Sequence, residues 1–311
     1  MDADINAAAP SHRPPVTPSP HSRREHRRRR MRRHGRRAYV RSVYFLPSLA
    51  TLGNAVCGFG AMYVAAMADA HGPLVFRDPL TRALALNPFV AAAYLVFVAM
   101  VFDALDGRLA RFTRHTTDFG GQLDSLADVV SFGAAPAFIA LQVFKVQGPD
   151  VGVVISRLIW AIGALYFSCA ALRLARFNVS NEHGEQHHFS FLGLPSPGAG
   201  GAVAAFILMQ QDLRSNGFEA LSNLCIWLLP IIVLATGLLM VSGIRYPHVV
   251  NRYLRGKRSL ARLLVVLGLI LLLVVWHQYT LGIGMLAYAL MGPASWAYVK
   301  FRPRPPGAPA A

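Results

Sequence analysis

The stretch FDALDGRLARFTRHTTDFGGQLDSLADVVSFGAAPAF, residues 102–138, sets Asp103, Asp106, Asp124 and Asp128 beside and inside apolar runs. Asp103 and Asp106 are three apart and Asp124 and Asp128 four apart, so each pair shares one face of a helix. Packed as an antiparallel pair, two such helices bring four carboxylates into one small volume. Each aspartate facing lipid at mid-bilayer costs about 2.5–3.5 kcal/mol. All four must therefore look into a helix bundle.

Four carboxylates repel one another unless positive charge joins them. Arginine is one source and divalent metal the other; oxygen-only ligands favour a hard cation such as Mg2+ or Mn2+ over zinc. Two-metal sites handle phosphate esters and their leaving groups. Gly107, Gly120 and Gly121 remove side chains beside the carboxylates and let a ligand approach the backbone. Ala110 keeps the same face small, and Arg111 offers a planar fork to phosphate oxygens.

Working outward, 54% of the chain is hydrophobic and 15% charged, against about a quarter charged in soluble domains. Apolar runs of about 20 residues recur, each long enough to cross a bilayer core. The expected fold class is therefore all-α: a polytopic membrane helix bundle of about eight transmembrane helices. The candidate spans are 46–69, 88–108, 124–146, 152–174, 192–210, 219–242, 261–277 and 280–299. The fifth is the weakest, because Pro195, Pro197, Gly198, Gly200 and Gly201 lower its helix propensity.

Charge orients this layout. With the N-terminus in the cytoplasm, 26 of the 31 lysines and arginines fall on the cytoplasmic side, and both termini lie there. Residues 1–41 hold twelve arginines with several prolines and no apolar run before Tyr39, which predicts a disordered cytoplasmic tail against anionic lipid headgroups. Aromatic interleaving is missing from this tail, so no nucleic-acid partner is expected. Residues 301–311 read as a Pro-rich tail. The loop from Glu182 to His188, with His183, His187 and His188, reads as solvated. Cys57, Cys169 and Cys225 match no zinc or redox spacing and read as small buried hydrophobes.

Residues 103–128 resemble the signature of CDP-alcohol phosphatidyltransferases, D-x2-D-G-x2-A-R-x8-G-x3-D-x3-D, at all eight fixed positions. LPSLATLGNAVCGF (46–59), SCAALRLARFNV (168–179) and FLGLPSPGAGG (191–201) resemble the serine-using branch of that family in particular. Ser48 departs from the asparagine expected after Pro47. The resemblance implies catalytic helices over 42–210 and additional transmembrane helices over 211–300. It implies transfer of a phosphatidyl group from CDP-diacylglycerol to L-serine with release of CMP. Carried over, Asp103, Asp106 and Asp124 are metal ligands, and Asp128 takes the hydroxyl proton while also touching metal. Gly107, Ala110, Arg111 and Gly120 line the CDP site.

Arg173, Arg176 and Asn178 end the fourth span on the signature's side. Arginine suits the carboxylate of serine and the diphosphate of the donor, so these three are candidate substrate-binding residues. Gly193, Leu194 and Pro195 shape a re-entry into the fifth span. The resemblance also implies a bacterial cytoplasmic membrane, membrane-lipid contact and homodimerisation. The signature does not separate serine from glycerol 3-phosphate, inositol phosphate or choline. A transporter with an intramembrane aspartate path is the rival from another class, but it leaves Gly107, Ala110 and Arg111 unexplained.

Overall fold

The structure is a computed structural model that describes residues 48–68, 87–113, 118–182, 193–244, 246, 272 and 275–301. The arginine-rich tail, the His183–His188 loop and most of the seventh candidate span lie outside these residues. Leu46–Ala311 form one compact unit. All regular elements among the described residues are helical: α1 (Ser48–Met67), α2 (Pro88–Thr113), α3 (Asp118–Asp128), α4 (Ala135–Gln147), α5 (Val153–Glu182), α6 (Ser196–Ser215), α7 (Glu219–Val241) and α8 (His277–Phe301). A π-helical segment, Val129–Ala134, joins α3 to α4 without a break.

Five helical stretches are long and apolar enough to span a bilayer: Ser48–Met67, Pro88–Leu109, Phe119–Gln147, Val153–Val179 and Glu219–Val241. Their outward faces carry large apolar side chains such as Val56, Phe59, Val101, Trp160 and Ile231, as a lipid-facing surface requires. The chain is a polytopic membrane helix bundle. Seven of the eight candidate spans coincide with helices, namely these five together with α6 and α8, which are less apolar, while most of the seventh candidate lies outside the described residues.

The weak fifth candidate turns out to be the centre of the bundle. From Gly198 to Leu208 every residue of α6 is buried, and α2, α4, α7 and α8 all pack against it. A helix buried along this length has no need of a lipid-like surface there, and small residues let its neighbours come close. Gly200 shows this: a Cβ there would lie 3.2 Å from the Phe132 backbone. The start of α6 is fixed by Gly193, whose φ of +86° suits glycine. The Gly193 and Leu194 N–H groups donate to the carbonyls of Ile244 (2.8 Å) and Leu239 (2.9 Å), which pins the loop to the end of α7. Pro197 then sits in the first turn, where its missing N–H costs nothing.

At the far end of α6 the buried Gln210 and Gln211 meet Gln147 of α4 and Ser222 of α7. Gln211 donates to Gln147 at 2.9 Å and Gln210 to Ser222 at 2.9 Å. This closed polar network ties three helices together where apolar contact alone gives no preference for protein over lipid. Cys169 and Cys225 are buried and Cys57 half-buried, all free thiols, in keeping with their reading as packing residues.

Candidate active site

The continuous helix from α3 through the π segment to α4 carries the second aspartate pair. A π turn holds an extra residue per turn and frees backbone groups that need other partners. Here the Tyr166 hydroxyl donates to the Phe132 carbonyl at 2.9 Å, and the Ser131 hydroxyl donates to the Asn54 carbonyl at 2.8 Å. Asp128 is the residue just before the widened turn. A Cβ on Gly58 would lie 2.6 Å from the Ser131 Cα, so glycine is what allows α1 to approach this turn.

Asp103 of α2 and Asp124 and Asp128 of α3 each offer a carboxylate oxygen, and these oxygens all lie within 4.8 Å of one another. At that spacing two like charges repel by about 3.5 kcal/mol at an effective dielectric near 20, so three pairs cost roughly 10 kcal/mol. Arg173 of α5 sits within the field of Asp128. One guanidinium against three carboxylates leaves most of that repulsion in place. An all-oxygen cluster with surplus negative charge is the donor set of a divalent metal site, and these residues fit one.

Asp106 stands beside the group but is not one of the three converging carboxylates. Its Oδ2 accepts a hydrogen bond from the Thr51 hydroxyl of α1. Asp128 is held from the same helix: Asn54 Nδ2 donates to Asp128 Oδ1 at 3.0 Å. Asn54 is fully buried, and its own Oδ1 has no hydrogen-bond partner among the described residues. A buried acceptor left this way costs about 1–3 kcal/mol, which a bound cation or substrate donor would recover.

Gly107 and Gly121 border open space, since a Cβ on either would meet nothing within 4 Å. Of Ala110 and Arg111 the structure describes only the helical backbone. Gly120 is half-buried on α3. The candidate residues of α5 fall on a helix running to Glu182, two turns beyond the expected 174. Asn178 accepts from the Ser125 hydroxyl at 2.9 Å, joining α5 to α3 between the two aspartates of the second pair. Arg173 Nη1 donates to Ser196 Oγ at 2.5 Å, at the first residue of α6, while its Nε is buried without a partner among the described residues. Arg176 is exposed.

Thr51 and Asn54 are the residues that sequence reasoning passed over. They lie three apart on one face of an apolar span, the same spacing that exposed Asp103 and Asp106, and that was the available signal.

Fold and site together define a class: a membrane-embedded helical protein with an acidic, metal-fitting centre on paired helices. The chain belongs to the CDP-alcohol phosphatidyltransferase family, whose profile matches residues 44–231. It is similar to proteins named CDP-diacylglycerol–serine O-phosphatidyltransferase. The protein of that name from Helicobacter pylori is 35% identical over 211 residues, covering 68% of this chain and 81% of the relative. One from Methanocaldococcus jannaschii is 34% identical over 170 residues, 55% of this chain and 68% of the relative. One from Bacillus subtilis is 28% identical over 205 residues, 66% of this chain and 90% of the relative.

Proposed function

We propose that this chain transfers the phosphatidyl group of CDP-diacylglycerol to the hydroxyl of L-serine, giving phosphatidylserine and CMP. The observation that carries this reading is the convergence of Asp103, Asp124 and Asp128 beside Gly107 and Gly121, whose faces are open. It is supported by the shared name of the similar proteins.

Asp103, Asp124 and Asp128, with Asp106 adjoining, would hold divalent metal, Mg2+ or Mn2+. Bound there, the metal supplies positive charge to the diphosphate of the donor and to the departing CMP. The remaining work falls to the chain. Gly107, Ala110, Arg111 and Gly120 line the CDP side, where missing side chains admit the nucleotide. Arg173 binds the serine carboxylate, with Arg176 and Asn178 beside it, and the charge-assisted bond favours an amino acid over a neutral alcohol. Asp128, steadied by Asn54, takes the proton from the serine hydroxyl as its oxygen bonds to the lipid-linked phosphorus. The bond from that phosphorus to the CMP oxygen breaks, and CMP leaves with the electron pair. Catalysis rests on position and charge.

In this reading residues 42–210 form the catalytic part, 211–300 add helices to it, and 1–41 and 301–311 are tails. Both termini face the cytoplasm of a bacterial cell, and the protein works as a homodimer in its cytoplasmic membrane. The test is CMP release by purified protein with CDP-diacylglycerol, Mg2+ or Mn2+, and L-serine. Serine-dependent release that disappears in Asp128→Asn supports the reading. Release with glycerol 3-phosphate, inositol phosphate or choline but not serine would keep the chemistry and replace the acceptor. Silence with every alcohol, in folded protein, would sink the enzyme reading.

A further inference from the structure

Ser196, the first residue of α6, is fully buried, and its hydroxyl accepts from Arg173 Nη1 at 2.5 Å. Contacts along the neighbouring helices fix the depth at which the two meet. α6 runs parallel to the helix that carries Asp128. A Cβ on Gly200 would lie 3.2 Å from the Phe132 Cα, and further along Gln211 donates to Gln147 at 2.9 Å. Ser196 is about one turn back from Gly200, and Asp128 about one turn back from Phe132. α5 runs antiparallel to the same helix: Asn178 accepts from Ser125 at 2.9 Å, and a Cβ on Gly133 would lie 3.1 Å from the Ala170 Cβ. Arg173 falls between Ala170 and Asn178, just as Asp128 falls between Ser125 and Gly133. Ser196 and Arg173 therefore join at the level of Asp128.

Ser196 is presented there by a stiff segment. Pro195 and Pro197 fix the backbone on either side of it. Three residues back, the Gly193 N–H donates to Ile244 at 2.8 Å and the Leu194 N–H to Leu239 at 2.9 Å, and a Cβ on Gly193 would press on the Met240 carbonyl. These holding residues lie beyond residue 231, where the family match ends. A bond needed only to tie α5 to α6 would leave no donor over. Arg173 Nε, however, is buried without a partner among the described residues, so the guanidinium keeps donor capacity for an incoming anion.

We propose that Ser196 is a positioning residue for the acceptor: its hydroxyl takes one edge of the Arg173 guanidinium and leaves the remaining donors to meet the carboxylate of a hydroxy amino acid. This rests on the reading of Arg173 given above.

The test is steady-state CMP release by the full chain, varying L-serine and CDP-diacylglycerol separately. Ser196→Ala removes the hydroxyl and little else. It should raise the KM for serine by about three- to tenfold, with kcat and the donor KM moving by less than about twofold. Ser196→Cys, whose sulfur is a weak acceptor, should fall between Ser196→Ala and the unmutated protein. Arg173→Lys should raise the serine KM further, and adding Ser196→Ala to it should change little, because both act through one group. If Arg173→Lys raises the serine KM while Ser196→Ala and Ser196→Cys leave it unchanged, the proposal is overturned and the reading of Arg173 stands. Full additivity of Ser196→Ala with Arg173→Lys also overturns it, as does a fall in kcat with both KM values unchanged. An unchanged serine KM in Arg173→Lys, or unmutated protein that turns over no serine, would remove the reading of Arg173 and this proposal with it.

Discussion

Asn54 on α1 donates a hydrogen bond to Asp128 on α3, 74 residues away in sequence, at 3.0 Å. The carboxylate assigned as proton acceptor is thus oriented by a different helix from the one that carries it. Asn54 is fully buried, and its backbone carbonyl accepts from Ser131 of the π segment, which fixes this point of α1 against the helix that carries Asp128. Asn54→Ala should lower kcat by about 10- to 100-fold, the loss of one hydrogen bond to a charged group, with smaller changes in either KM. Single-turnover CMP release would measure it, and an unaltered rate would show that Asp128 needs no such support.

The three converging carboxylates should behave as one unit toward metal. Chelation should abolish CMP release, and Mg2+ or Mn2+ should restore it. Asp103→Asn and Asp124→Asn should shift the metal activation curve to higher concentration. Asp128→Asn should remain slow even at saturating metal, by about a hundredfold or more. If all three variants recovered full rate with excess metal, Asp128 would be a ligand alone.

Two glycines should respond in opposite ways. Gly58→Ala drives a Cβ to within 2.6 Å of the Ser131 Cα, so α1 or the π turn must shift. Overpacking of this kind costs about 1–3 kcal/mol and should lower the melting temperature in detergent. Gly107→Ala places its Cβ in open space, so stability should hold while the KM for CDP-diacylglycerol rises. A stable Gly107→Ala with an unchanged donor KM would argue that the nucleotide lies elsewhere.

The glutamine network at the far end of α6 should matter for stability and not for chemistry. Gln147→Leu removes a partner of both Gln210 and Gln211. Each interhelical polar contact contributes about 0.6–1.7 kcal/mol in membrane proteins, so unfolding should come earlier while kcat stays put. A matching fall in kcat would tie that end to the reaction.

Removal of residues 1–37 should leave CMP release in detergent micelles unchanged, since the arginine-rich tail has no counterpart in the chemistry assigned to the helices. A large loss would give the tail a role beyond orientation and lipid contact.

Much of this was legible in the linear chain. The apolar runs marked the helices, and the two aspartate pairs marked the site, because helical periodicity turns spacing into a shared face. The rank of the fifth candidate span was not legible. Hydropathy measures fitness for lipid, and α6 is buried from Gly198 to Leu208; its glycines and alanines serve neighbours that only the assembled bundle supplies. The π segment was equally hidden, since VVSFGA reads as ordinary helix. Its widened turn depends on Tyr166 and on the close approach allowed by Gly58, both distant in sequence.

The sequence by itself therefore determined that the chain is a helical membrane protein with an acidic, phosphate-directed centre, because composition and local spacing act within a single helix. Only the tertiary structure decided that Asp103, Asp124 and Asp128 converge while Asp106 is engaged by Thr51, that Asn54 orients Asp128, and that Arg173 donates to Ser196 at the start of α6. Those relations join helices far apart in the chain. They follow from which faces pack together, a choice made by the sum of contacts across the bundle and by no single segment.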